Sequence, residues 1–530
     1  MALSKSLVLY QYILHQLGYD SDEKLRDEFA HKLPGDDNAG CSNFANALLG
    51  NQKLIDNERI ERYDAAIAGY EKQLRQHRAE PRLQFKYYQW FALLFAEYYL
   101  DRLSENADAL LQALNQFQKS RAEFKDLSDY SAADLKKLAF WMATGSGKTL
   151  LMHCNIWQMR KYFKTWENII LITPNAGMSA QHLHELKESG FDAHIYAGSE
   201  ASLKTRDGEV LIIEITKLVR DKEGDGLSVD VDHFAEDKNL VLIDEGHKGQ
   251  QSEEKAWKRL REYITRGANS FTLEYSATFG QIIGPKTKDL LNEYGKAIVF
   301  DYSYRHFYGD GYGKDFSVFN VDLKKKEGYD ACELRLLLTG SLLGFYEQLV
   351  LFEEHAEMLR PYNIEKPLWV FVGSKVIGSG KSALTASDKQ NISDVTLVVE
   401  FFRYILSDPK GLQADMDCIL DGNSQMSLAD GDDVFRSRFE YLRPNRPIAA
   451  SVLNTVFHGA GQIEAHQIKQ GDGEIGLKTH TGDYFGVINI GDVSKYSKKL
   501  EEDVKGQIRI EQDKFSRSLF QDIDRGNSKI

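Results

Sequence analysis

One stretch, residues 138–153 (LAFWMATGSGKTLLMH), restricts what this chain can fold into more than any other. The apolar run 138–142 reads as a buried strand. Ala143-Thr144-Gly145-Ser146-Gly147-Lys148-Thr149 reads as a glycine loop, and an apolar helical pattern follows. Strand, glycine loop, Lys-Thr and helix, in that order, are what a phosphate cradle needs. Glycines let backbone N–H groups turn onto phosphate oxygens, because no side chain blocks the approach. The helix N-terminus adds a partial positive charge. In such a loop Lys148 reaches the β- and γ-phosphates and the Thr149 hydroxyl can hold Mg²⁺. The expected nucleotide contacts are therefore Thr144, Gly145, Ser146, Gly147, Lys148 and Thr149. A glycine-rich turn with an incidental lysine is the plainer alternative, and the flanking strand and helix argue against it.

The rest of the chain reads as the scaffold such a loop requires. From about residue 135, apolar strands alternate with helical patterns, with strands expected at 138–142, 169–173, 210–215, 240–243 and 270–275. That alternation predicts an α/β, doubly wound parallel sheet. Residues 1–125 read as a helical region, with an amphipathic helix at 60–74 and an aromatic-rich helix at 84–103. The first sheet domain is expected over 126–310. A second α/β pattern is expected over 311–530, with strands at 314–321, 368–374, 448–457 and 484–490, helices at 334–351 and 394–406, and an insertion near 407–448.

A second group of polar residues closes another strand. The run 239–243 ends in Asp244-Glu245-Gly246-His247. A carboxylate at the C-terminal end of a parallel strand sits at the same rim as the phosphate loop. Asp244 can hold Mg²⁺ there, and Glu245 can polarise an attacking water. Alone this would be an ordinary acidic loop; the phosphate loop upstream reverses that. Ser276 and Thr278 follow a strand and suit a contact to the Asp244–His247 loop, or else form a plain strand-ending turn. Thr173-Pro174-Asn175 and Thr216-Lys217 close two further strands. Hydroxyls and amides at such a rim suit a nucleic-acid backbone; helix capping by Thr173 or Thr216 is the other reading.

Composition bounds the class. The net charge of −13 excludes a protein that coats nucleic acid, but not one that grips it in a local groove. The four cysteines stand singly without a C-x-x-C pair, as in a reducing cytoplasm. No signal peptide is legible, and the most apolar helix, around residues 91–96, is too short to span a bilayer, so a cytoplasmic protein without a membrane is expected.

The words ATGSGKT, TPN, ITKL, DEGH, SAT and WVFVGSK occur in the order of superfamily-two helicase motifs I, Ia, Ib, II, III and IV. Met142 stands where the strict phosphate-loop pattern has glycine, which is the helicase variant. AFWMATGSGKTLLMH, LIDEGHKG and EYSATF resemble the helicase/translocase part of type III restriction enzymes, the Res subunit, over roughly residues 84–530. That resemblance implies tandem RecA-like domains and ATP hydrolysis by Lys148, Thr149, Asp244 and Glu245 with Mg²⁺. It implies coupling through His247, Ser276 and Thr278. It also implies contacts to one DNA strand by Thr173, Pro174, Asn175, Thr216, Lys217, Gly373 and Ser374, adenine reading by Gln89, and a modification methyltransferase partner.

The family's second motor domain continues into motif V and a Q-x-x-G-R-x-x-R motif VI, and no Q-x-x-G-R occurs here. The expectation is a second motor domain cut short, its C-terminal half supplied in cis or in trans, and weak or absent hydrolysis by this chain alone. A superfamily-two RNA helicase and a nucleotide-gated, non-hydrolysing subunit of a defence complex are the alternatives.

Overall fold

The computed structural model describes residues 3–37, 40–203, 205–219, 229–230, 234, 237–245, 264–265, 270–281, 287–313, 331–360, 364, 366–372, 394–428, 431–469, 473–480, 482–489, 508, 510–513 and 516–519. The chain divides into two compact units, residues 1–315 and 316–530.

The first unit is organised by a parallel sheet. Its strands are β1 (Lys137–Met142), β2 (Asn168–Thr173), β3 (Ala193–Ile195), β4 (Val210–Glu214), β7 (Asn239–Asp244), β8 (Phe271–Ser276) and β9 (Ile298–Tyr302). The short strands β5 (Leu218–Val219) and β6 (Val229–Asp230) pair with each other. Across the large sheet the order is β3-β4-β2-β7-β8-β1-β9, every neighbour parallel. The five strands expected here lie within one residue of the expected bounds at each end. β7 and β8 are buried along their whole length. That is why they read as unbroken apolar runs rather than as alternation.

Helices α1 (Val8–Gln16), α2 (Asp22–Phe29), α3 (Asn43–Leu49), α4 (Asn57–His77), α5 (Tyr87–Glu105) and α6 (Ala107–Lys119) precede the sheet. α7 (Lys148–Phe163) and α8 (Ala176–Glu188) follow β1 and β2. Ser21, Ser42, Asp56, Asn106 and Asn175 cap α2, α3, α4, α6 and α8 by accepting a backbone N–H two or three residues into the helix. α5 is buried from Tyr87 through Asp101, as expected of a helix apolar on every side. Its residues share one apolar core with β1, β9 and α7.

A buried acid ties α5 to α7. Glu97, fully buried, accepts hydrogen bonds from Tyr70 (2.7 Å), Gln158 (3.1 Å), Lys161 (2.6 Å) and Tyr162 (2.6 Å). Gln158 in turn accepts from Asn155 (2.7 Å), which accepts from Tyr275 on β8 (2.7 Å). A buried carboxylate is tolerated only when its oxygens are satisfied in this way.

The second unit contains helices Ala331–Glu354, Asp394–Ser407, Pro409–Leu420 and Ala449–Phe457. Its sheet comprises β10 (Ile463–Ile468), β11 (Glu474–Thr479), β12 (Tyr484–Asn489) and β13 (Ile510–Asp513), in the order β12-β11-β10-β13. Only β10 and β13 run parallel. Among the described residues this unit therefore carries a mixed sheet, not the doubly wound parallel one expected for 311–530.

Two local expectations also change. Within the strand expected at 448–457, residues Ala449–Phe457 form a helix instead, because their apolar positions follow the helical period. Ala449, Val452, Leu453 and Phe457 are buried on one face. Residues 368–372 form no strand: Trp369 packs on Phe345 and Phe402 and donates to Ser341 Oγ (3.0 Å), while Val370 and Val372 face solvent. The strand expected at 314–321 lies outside the described residues. Among the described residues, the helix long and apolar enough to cross a membrane is not the one around residues 91–96. By length and composition Cys332–Glu354 suffices to cross a membrane, yet Leu342, Leu343 and Tyr346 pack into the core of this unit.

Replacing Glu97 with Ala strands the buried donors of Tyr70 and Gln158. A loss of about 3 kcal/mol is expected, read from unfolding of this unit in urea. A loss under about 1 kcal/mol would show that the network rearranges without it.

Candidate functional site

The phosphate loop is shaped by its two glycines and by a side chain from α5. Gly145 (φ +83°) and Gly147 (φ +87°) adopt left-handed backbone that other residues rarely enter. Gly147 caps α7, so Lys148 is the first helical residue. Ser146 folds back on the strand end, its N–H (3.2 Å) and its hydroxyl (2.7 Å) both donating to Ala143 O. Gln89 locks the turn from outside. Its amide N–H donates to Ser146 O (3.0 Å) and its amide oxygen accepts the Lys86 N–H (2.9 Å), half of a capping box on α5. A methyl group on Gly147 would lie 2.4 Å from Gln89 Nε2. Gln89 therefore braces the loop, and its amide carries that contact at both ends.

The acidic strand end faces the same rim. Lys148 Nζ lies 3.7 Å from Glu245 Oε1, both side chains partly buried. Glu245 has a positive φ (+55°), uncommon for a residue with a side chain. This turns the chain sharply after β7. Asp244 Oδ1 accepts the Glu245 N–H (3.0 Å), and Asp244 Oδ2 pairs with His182 Nε2 on α8 (2.9 Å), buried on both sides. A carboxylate acts only as an acceptor, so His182 donates from Nε2. His182 carries no motif signal; only the fold brings α8 over the end of β7. Deeper in, burial and then the nearby Arg78 and His182 hold His153 well below the usual imidazole range.

The remaining expected residues are placed as follows. Thr173 is buried and shares a hydrogen bond with Ser179 Oγ (2.6 Å). Asn175 caps α8 through the Met178 N–H (2.9 Å), with Pro174 between them. Thr216 and Lys217 lie in the short 3-10 turn after β4. Ser276 Oγ accepts the Thr278 N–H (3.0 Å), closing the strand-end turn. His247, Gly373 and Ser374 lie outside the described residues.

The residues fit a magnesium nucleotide. Glycines open the loop, a lysine heads the helix, and Asp244 keeps lone pairs beyond its two hydrogen bonds. Among the described residues no group of three or more His, Cys, Asp or Glu could hold a metal by itself. Mg²⁺ at phosphate sites is typically held by one or two side chains together with substrate oxygens.

Residues 101–281 match the family model described as type III restriction enzyme, res subunit. That segment is a superfamily-two helicase-like domain. It holds the phosphate loop, Asp244-Glu245 and Ser276 to Thr278, and implies a helicase/ATPase-like protein. No curated protein matches the chain.

His182 supports Asp244 and touches no phosphate, so its removal should act on metal use. His182→Ala is expected to raise the Mg²⁺ concentration needed for half-maximal ATP hydrolysis about tenfold, the size typical of an outer-shell partner, and His182→Gln should restore much of it. An unchanged Mg²⁺ titration in His182→Ala would show that Asp244 holds its position unaided.

Proposed function

We propose that this chain is an ATP-driven, DNA-directed motor subunit of the type III restriction kind, working in the cytoplasm with a methyltransferase partner. The observation that carries the nucleotide part is the 3.7 Å approach of Lys148 to Glu245, which joins the phosphate loop and the acidic strand end across two intervening strand interfaces.

Backbone N–H groups of the loop and Lys148 would bind the β- and γ-phosphates. Thr149 and Asp244 would hold Mg²⁺, which supplies charge neutralisation to the phosphates. Lys148 and Glu245 face each other at 3.7 Å, so a phosphate held by Lys148 would lie beside the Glu245 carboxylate, which would take a proton from the attacking water. Ser276 and Thr278, beside β7 on the next strand, would relay nucleotide state. Thr173, Asn175, Thr216, Lys217, Gly373 and Ser374 would serve the nucleic-acid track. The family match supports the helicase kind of ATPase; DNA as the track, movement along it, the methyltransferase and a second RecA-like domain are the proposed extension. Competition of single-stranded DNA against RNA separates this reading from an RNA helicase.

Lys148→Ala is expected to weaken MgATP binding by more than about tenfold, since a charge-assisted contact is lost; equal affinities by calorimetry would refute the loop assignment. Glu245→Gln keeps the shape but cannot accept a proton. Binding should survive while turnover falls about 10²-fold, and wild-type turnover in this variant would remove Glu245 as the base.

A further inference from the structure

We propose that the base of the bound nucleotide stacks on the aromatic pair Phe307 and Tyr312, and that the chain discriminates poorly between adenine and guanine. This rests on the nucleotide-binding reading above and adds where the base lies and what holds it.

The direction comes from the sheet. Lys148 meets Glu245, so the terminal phosphate lies on the β7 side of β1. β9 lies on the opposite side of β1. A nucleotide with its terminal phosphate at that contact extends its nucleoside toward β9. The segment that follows β9, the short helix Tyr304–Gly309 and the turn to Gly313, stands beside the phosphate loop. A methyl group on Gly145 would meet the Phe307 ring at 3.7 Å.

That segment packs on a buried aromatic pair, which Phe307 and Tyr312 meet edge-on. Tyr88 and Tyr302 are that pair, their rings nearly parallel at 3.9 Å. Phe307 above is half-buried, and Tyr312 is 39% exposed. Their centroids lie 5.7 Å apart. Lys86 Nζ lies 5.6 Å from the Tyr312 ring.

The mount is rigid. Asp310 accepts hydrogen bonds from Arg26 (2.5 Å), Tyr302 (2.6 Å) and Tyr87. The N–H groups of Tyr312 (3.1 Å) and Gly313 (3.2 Å) both donate to Phe307 O. Two accessible rings, fixed next to a phosphate loop, suit a flat base. Stacking accepts any base because every base has a π-face. The Gln89 amide, engaged with Ser146 O and the Lys86 N–H, is tied up in bracing the loop.

The test titrates the full chain with ATP, GTP and tripolyphosphate in the presence of Mg²⁺. ATP and GTP should bind within about threefold of each other, and tripolyphosphate about tenfold or more weaker. Phe307→Leu, which keeps apolar bulk, and Tyr312→Ala, at an exposed position, should each weaken ATP and GTP about tenfold and leave tripolyphosphate unchanged. That unchanged binding shows that the loop is still folded. Unaltered ATP affinity in both variants, or a wild-type preference for ATP over GTP beyond about 100-fold, would overturn the stacking proposal while the phosphate site stands. Failure of the wild-type chain to bind any of the three would bring down the nucleotide reading and this proposal with it.

Discussion

All seven strands of the large sheet run the same way, and nearly everything else about the first unit follows from that. Parallel neighbours cannot be joined by hairpins, so each connection must cross a face of the sheet and cover it. Coverage on both faces buries β7 and β8 completely. It also delivers every strand's carboxyl end to one rim. The phosphate loop after β1, the acidic turn after β7 and the hydroxyl turn after β8 are neighbours for this reason alone. The contact between Lys148 and Glu245 joins residues almost a hundred positions apart in sequence, and only the strand direction brings them together.

The polar groups inside the unit obey a stricter rule. Glu97, Asp101, Asp244 and Asp310 are each drawn out of water, and each is surrounded by donors. Three of these clusters involve α2, α4 or α5, so the N-terminal helices supply much of the hydrogen bonding that fixes the sheet's flanks. The second unit has its own apolar core, gathered around Phe402, Phe435 and Leu453. Its four-stranded sheet is mixed in direction, an arrangement that delivers no common rim of strand ends.

Much of the first unit was legible in the sequence because buried parallel strands and a glycine loop leave strong local signals. Residues 138–149 and 239–245 carry clear local signals of a strand and the turn that ends it, and the fold brings Lys148 and Glu245 to 3.7 Å. β3 was missed because three residues carry too short a pattern. β9 was missed although its run, IVFDY, is apolar, because it follows a helix without turn residues to mark its start. His182 was invisible: it is a single histidine on an amphipathic helix, and its meaning arises only where α8 crosses the end of β7. Gln89 reads from sequence as a contact to the base, and the geometry gives its amide a bracing role. The helix at Ala449–Phe457 reads as a strand from sequence because so short an apolar-rich stretch can carry either period, and burial of Ala449, Val452, Leu453 and Phe457 decides it.

The bridge from Gln89 to Ser146 bears on where a working ATP-binding piece of this chain could begin. The family match starts at residue 101, which falls inside α5 and beyond Gln89. A cut there would divide a helix whose whole circumference is buried, leave the phosphate loop without its brace and remove Tyr88 from the face of Tyr302. The matched segment and the packed core thus have different edges here: the core reaches back through α4 to α1, whose Tyr10 packs edge-on against Phe300 of β9 at 5.8 Å.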